Sequence, residues 1–202
     1  MKNTLLAEQR YDAVWRVALP YLRARKNDIH IPLSYGFAVR LCQQHPEASP
    51  DIVLPGIILH DIGWALIDER QIFEQGFGPN MMESDVRRRH ELEGARLARE
   101  LLLELKYPVS TIDEIARIID GHDTRRAALS LNDELVKDAD KLWRFTITGI
   151  AVACDWFQLT PAQYAARLER EIVDALFRPW SCEVARETLA ASRVALRCDV
   201  LP

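Results

Sequence analysis

Five histidines stand in a chain of 202 residues, and four of them continue apolar stripes at helical spacing. His30 is in line with Leu33, Phe37 and Leu41, and His60 continues from Val53 and Ile57. His90 leads into Gly94, Leu97 and Leu101, and His122 ends the row Ile112, Ile115, Ile119. Steps of three, four and seven residues put each imidazole on the inward face of its own helix. One buried histidine is satisfied by a carbonyl. Four on four helices would each need a polar partner in an apolar interior, whereas a shared cation satisfies them together. Two carboxylates fit the same centre: Asp61 follows His60 directly, and Asp140 sits in KDADKL with Val136, Ala139 and Trp143 as apolar neighbours. A buried carboxylate without a cation is costly or protonated. Imidazole and carboxylate together suit divalent Mn, Co, Ni, Fe or Zn, with open coordination positions for water and substrate. The fifth histidine, His45, follows a helix beside Pro46 and is expected to be exposed.

Such a set converges only if helices present it. Runs of alternating polar and apolar residues are missing, while spacings of three and four recur in every long segment, so the expected fold class is all-α. A first helix is predicted over residues 5–25, with Val14, Val17, Ala18 and Leu22 inward and Pro20 bending or ending it. A second covers 31–44. A third covers 51–63, announced by Ser49 and Pro50, with Pro55 early enough to be tolerated. Residues 65–83 contain two Gly, one Pro and no sustained periodicity, which predicts a long loop with one helical turn at most, of the kind that often serves as a lid. Ser84 is expected to cap a helix running to Lys106, and Thr111 with Glu114, at capping-box spacing, to open one ending near Gly121 and His122. Asn132 is expected to cap a helix that carries Asp140 and continues towards Trp156. Thr160 and Pro161 start another, with Tyr164, Leu168, Ile172 and Leu176 on one side, and a last helix follows Ser181. No internal repeat interrupts the pattern, and residues 1–202 read as a single domain.

Composition narrows the partners. Twenty-six Lys and Arg against 30 Asp and Glu give a net charge of −4, and the basic residues are scattered, which disfavours a nucleic acid polymer. Arg87, Arg88 and Arg89 form the one compact basic run and read as a solvated helix face. No apolar stretch approaches the roughly 20 residues of a membrane span, and the N-terminus lacks a signal-peptide core. A cytoplasmic protein with no membrane partner is expected. Cys42, Cys154, Cys182 and Cys198 contain no C-x-x-C pair and read as reduced thiols.

The ordered set resembles the HD-domain superfamily of metal-dependent phosphohydrolases. It comprises His30, then His60-Asp61 in LPGIILHDIGW, His90 in RRRHELEGARLARELL, His122 in IARIIDGHD and Asp140 in VKDADKLWR, over roughly residues 25–156. The resemblance implies an all-helical core with His30, His60, Asp61 and Asp140 as primary metal ligands. It implies that His90 and His122 either ligate a second ion, with Asp61 bridging, or contact the substrate phosphate in one-ion members. The implied activity is hydrolysis of a phosphate ester in a small metabolite or nucleotide, with Asp61 holding the metal and orienting the attacking water. Lys141 and Arg144, one and four residues after Asp140, are candidates for charge stabilisation, a surface salt bridge being the plainer role for each. The sequence departs from some nucleotidase members, which carry a glutamate soon after the HD pair; Trp64, Ala65 and Leu66 stand there, and Asp68 and Glu69 come later on what reads as loop surface. The tandem histidines and GYP-type motif of cyclic-dinucleotide phosphodiesterases are also missing.

Two other readings stay open. A mixed-valent di-iron oxygenase uses the same ligand plan, although Arg23 and Arg25 occupy the stretch before His30 where the phosphonate-cleaving branch would carry Tyr or Glu. A non-catalytic nucleotide-binding module would keep the helical core without turnover. Substrate recognition is expected from loops such as 68–83. The helices after Thr160 either cap the core or mediate a homodimer.

Overall fold

The computed structural model describes residues 10–75 and 85–201 of the chain. Among them no strand occurs, and α-helices joined by short turns build an all-α fold: α1 (Asp12–Ala18), α2 (Asn27–Gln44), α3 (Pro50–Leu59), α4 (Glu69–Gln75), α5 (Asp85–Glu104), α6 (Val109–Ile119), α7 (Leu131–Leu142), α8 (Ile147–Phe157), α9 (Pro161–Arg167) and α10 (Pro179–Ala195). Every residue from Val53 to Leu59 is buried. A helix that is apolar all round belongs at the centre, and α3 packs against α1, α2, α6 and α7. Buried apolar side chains from Tyr11 to Cys198 make one continuous cluster, and Trp64, Ile67, Ile72 and Val86 make a smaller one.

Several boundaries differ from expectation for local reasons. The start of the first predicted helix and the Ser84 cap lie outside the described residues; α1 itself gives way to a 3-10 turn, Leu19–Tyr21, at Pro20. Helix α2 begins four residues early because Asn27 is buried and its Nδ2 donates to the Asp61 carbonyl at 3.1 Å, which anchors that end. The segment expected to be loop contains α4, whose first turn is capped by Asp68 accepting from the Arg70 backbone at 3.0 Å. Helix α6 starts after Pro108, not at a Thr111 cap, and Glu114 instead accepts from Asn132 Nδ2 at 2.8 Å. Asn132 Oδ1, the atom that would cap, accepts from the Ser49 backbone at 2.8 Å, and Ser130 caps α7. The helix carrying Asp140 stops at Leu142, breaks at the 3-10 turn Trp143–Phe145, and resumes as α8 when Thr146 accepts from the Gly149 backbone at 3.0 Å. After α9 the chain passes through a π turn, Leu168–Ile172, and α10 opens at Pro179, where Asp138 accepts from the Phe177 and Arg178 backbones at 2.8 and 3.0 Å. His45 is half-buried and meets Glu47 at 3.1 Å rather than standing exposed.

The third helix ends at Leu59, and residues 62–66 form a 3-10 turn across α5. Here Gly63 and Gly94 let backbone meet backbone: a Cβ on Gly63 would run into the His90 carbonyl and lie 2.6 Å from the Gly94 nitrogen. This crossing sets His90 beside the His60-Asp61 pair. The four cysteines form no disulfide. No helix among the described residues is long and apolar enough to cross a membrane.

Candidate metal centre

The last carbonyls of a helix lack intrahelical donors, and two of the histidines exploit this. His60 follows α3 and its Nδ1 meets the Ile57 carbonyl at 2.8 Å; His122 follows α6 and its Nδ1 meets the Ile119 carbonyl at 2.9 Å. A carbonyl only accepts, so both Nδ1 atoms carry the proton, and in the neutral ring Nε2 keeps its lone pair. This is the arrangement that orients metal-ligating imidazoles. His30 comes from the second turn of α2, His90 from α5 and Asp140 from α7.

All six side chains converge, and all six residues are buried. The two oxygens of Asp61 divide the set. Oδ2 lies 3.4 Å from His30 Nδ1 and 3.8 Å from His60 Nε2, while Oδ1 lies 3.5 Å from His90 Nε2 and 3.3 Å from His122 Nε2. Asp140 Oδ1 is 2.9 Å from His30 Nε2 and 3.4 Å from His60 Nε2. Two groups of donor atoms are close enough to hold an ion, His30-His60-Asp61 and Asp61-His90-His122, and Asp61 is common to both. His60 Nε2 is buried without a hydrogen-bond partner although it faces both carboxylates. Lone pairs aimed at carboxylates repel unless a cation lies between them or the ring is protonated, so the residues fit a divalent ion. His30, His60, Asp61 and Asp140 would hold one ion, and Asp61, His90 and His122 would hold a second.

Electrostatics agree. Burial pushes His122 down, but its contact with Asp61 and the charges of Asp123 and Asp140 prevail and raise it to about 9. Burial also opposes charge on His30, yet its bonds to Asp140 and Asp61 hold it above its ordinary value. Burial and the neighbouring His122 charge push His90 down to about 4. Asp61 and Asp140 are held well below the usual carboxylate range despite burial, Asp61 by the neighbouring His60 ring and the His122 and His30 contacts, Asp140 by the His30 and His60 rings and Arg144. A sign follows for metal uptake. His122 and His30 are both raised, and an ion that either ring ligates takes the lone pair that would carry the proton, so binding expels protons. Affinity therefore rises with pH from 7 towards 9. Titration calorimetry with Mn2+ in buffers of different ionisation enthalpy reads the proton release, and an affinity flat across that range contradicts it.

Around the ligands stand groups that sequence periodicity missed. Trp64, on the 62–66 turn, donates from Nε1 to Asp61 Oδ1 at 3.0 Å and stacks on His90 with ring centres 4.0 Å apart. Trp143 stacks on His30 at 4.6 Å. Arg25, Arg87 and Arg144 line the same cavity as His30, Asp61, His122 and Asp140. Arg87 is buried rather than part of a solvated face, and it grips Asp123 with Nη2 at 3.0 Å and Nε at 3.2 Å. Its signal was available: residues 87, 90, 94 and 97 share one side of α5. Arg88 pairs with Glu91 and Asp120. Arg144 lies 3.9 Å from Asp140 Oδ2 and turns into the cavity, which a surface salt bridge would not do. Lys141 does not line it; its Nζ meets the Lys137 carbonyl at 3.5 Å and lies 5.4 Å from the Phe177 ring centre. Asp68 and Glu69 also stay off the cavity, at the start of α4.

The turn bearing His122 and Asp123 is clamped from both sides. Lys137, 2% exposed, donates to the carbonyls of Gly121, His122 and Arg125 at 2.9, 2.8 and 2.8 Å. Glu91, wholly buried, accepts from the Asp123 and Thr124 backbones at 2.8 Å each and from the Thr124 hydroxyl at 2.6 Å. These bonds fix the turn before any ion binds.

A helical core whose facing helices deliver histidine and aspartate to one buried centre defines a class of metal-binding all-α proteins. The HD domain family model matches residues 28–144, more than half of the chain and the whole stretch from His30 to Asp140, and the chain belongs to that family. No curated protein and no solved structure matches the chain.

Proposed function

We propose that the protein is a metal-dependent hydrolase of phosphate esters in a small metabolite or nucleotide. One observation supports the reading: the ligand cluster faces a cavity lined by Arg25, Arg87 and Arg144 together with Asp61, Asp123 and Asp140, so an ion held by the carboxylates would leave net positive charge for an anion beside it. A divalent ion bound there supplies a water of lowered pKa and draws charge from a phosphoryl oxygen. Asp61, with one oxygen towards each group of histidines, fixes the ligands relative to each other, and Trp64 holds that carboxylate in place. Arg144 balances charge on the phosphoryl oxygens from the side of Asp140. Trp143, Trp156, Phe157 and Tyr164 line the rest of the cavity and limit the water that reaches it.

The division of ligands by Asp61 also suits the di-iron oxygenase, which stays the second reading. Protein purified without chelator, assayed by elemental analysis and by a screen of phosphorylated metabolites with Mn2+, Co2+ and Ni2+, separates them. Phosphate release that chelator removes and added metal restores is the expected result. Two irons per chain with oxygen uptake and no phosphate release would replace the hydrolase by the oxygenase.

A further inference from the structure

Among the described residues that line the cavity, Tyr164 alone carries a hydroxyl. It comes from α9, outside the residues that the family model matches. The residue is 3% exposed, and its hydroxyl makes no hydrogen bond among the described residues. A buried phenol ordinarily has a partner, and Tyr11, equally buried, finds one in Asp51 at 2.8 Å. For Tyr164 the cavity is where a partner can come from. Its ring is stacked near Phe157, with ring centres 6.0 Å apart and planes 18° from parallel. Burial holds the phenol above its ordinary value, against the nearby Arg144 charge, so it keeps its proton at neutral pH.

Hydrolysis of an ester of an ordinary alcohol leaves an oxygen that must take up a proton. In an in-line displacement that oxygen departs on the side away from the attacking water. The cavity wall offers few acids to meet it. Arg25, Arg87 and Arg144 are guanidinium groups that do not give up a proton. Asp123 is kept ionised, against its burial, by Arg87. A ring nitrogen that ligates an ion has no proton on that atom, and the indoles of Trp143 and Trp156 keep theirs. We infer that Tyr164 is a catalytic residue, the general acid that hands its proton to the departing ester oxygen. The P–O bond to water forms as the P–O bond to the ester breaks, and the ester oxygen takes the phenolic proton and leaves as an alcohol. Of the two water protons, one stays on the hydrogen phosphate and the other passes through solvent to the phenolate, which restores it. This rests on the phosphate-ester reading above.

The test uses the full chain loaded with Mn2+, as wild type and Y164F, with metal content measured in both. The substrates are p-nitrophenyl phosphate, phenyl phosphate and glycerol phosphate, whose leaving groups run from more acidic than phenol to far less. On glycerol phosphate, kcat of Y164F should fall about 100- to 1,000-fold, and on p-nitrophenyl phosphate, whose anion leaves without a proton, only about two- to fivefold. Phenyl phosphate should lie between. Calorimetry with inorganic phosphate gives a reading independent of turnover: affinity should fall about two- to tenfold, the worth of one hydrogen bond. Equal metal content is expected, and a loss of metal in Y164F would make Tyr164 a positioning residue, overturning the inference. Equal losses of kcat on all three esters overturn it too, since a residue that only packs, or His122 acting as the acid in a one-ion site, would give no dependence on the leaving group. So does an unchanged phosphate affinity, or a rise in KM with kcat intact. A wild type that releases phosphate from none of the esters removes the hydrolase reading and this inference with it, whereas an active wild type with parallel losses in Y164F removes only the role of Tyr164.

Discussion

Alanine at His60 or at Asp61 takes phosphatase activity to background, a loss of at least roughly a thousandfold, and strips the protein of metal. The two replacements act by different routes. His60→Ala removes a donor whose tautomer is set by the Ile57 carbonyl, and leaves Asp61 and Asp140 with one fewer ring to offset them. Asp61→Ala removes the carboxylate common to both donor groups, so neither keeps its full set of ligands. Asp61→Asn separates charge from shape: it retains a carbonyl oxygen but loses the charge, and should bind metal weakly with almost no turnover. Elemental analysis after gel filtration, paired with the phosphate-release assay, reads both effects. Retained metal with full activity in either alanine variant would sink the assignment. His122→Ala counts the ions, since turnover falls with the metal content unchanged in a one-ion site and the content halves in a two-ion site.

The second large effect is on folding. Lys137→Met keeps most of the side-chain volume and removes the ammonium that three carbonyls share. Those carbonyls belong to a turn packed under α7, and burial already pushes the Lys137 amine down from its ordinary value. Leaving three acceptors, two of them buried, without a donor costs about 3–5 kcal/mol, a large share of the stability of a domain this size. Urea unfolding of the metal-free protein measures it. A loss below about 1 kcal/mol would mean that water replaces the ammonium. The variant should also loosen His122, whose carbonyl is one of the three.

The convergence of four rings and two carboxylates was legible from the apolar rows they extend, but only His30 and His90 stand on their helices; His60 and His122 lie past the ends of α3 and α6 and reach the centre through their Nδ1 contacts to the Ile57 and Ile119 carbonyls. The surrounding groups were hidden for separable reasons. Arg25 leaves a left-handed turn, where spacing of three and four loses its meaning. Arg87 was masked by two exposed neighbours, although its phase on α5 matches His90. Trp64 stood out only as a departure from relatives, since nothing in a sequence tells which ring will stack on which imidazole. Helix ends failed where two capping residues competed. Ser130 precedes α7 and Asn132 is its second residue; the Asn132 oxygen is taken by the Ser49 backbone, which leaves Ser130 as the cap.

The bare crossing of Gly63 and Gly94 bears on how the centre can move. Where peptide planes touch with no side chain between them, there is nothing to swing aside, and the two halves of the cluster are riveted together.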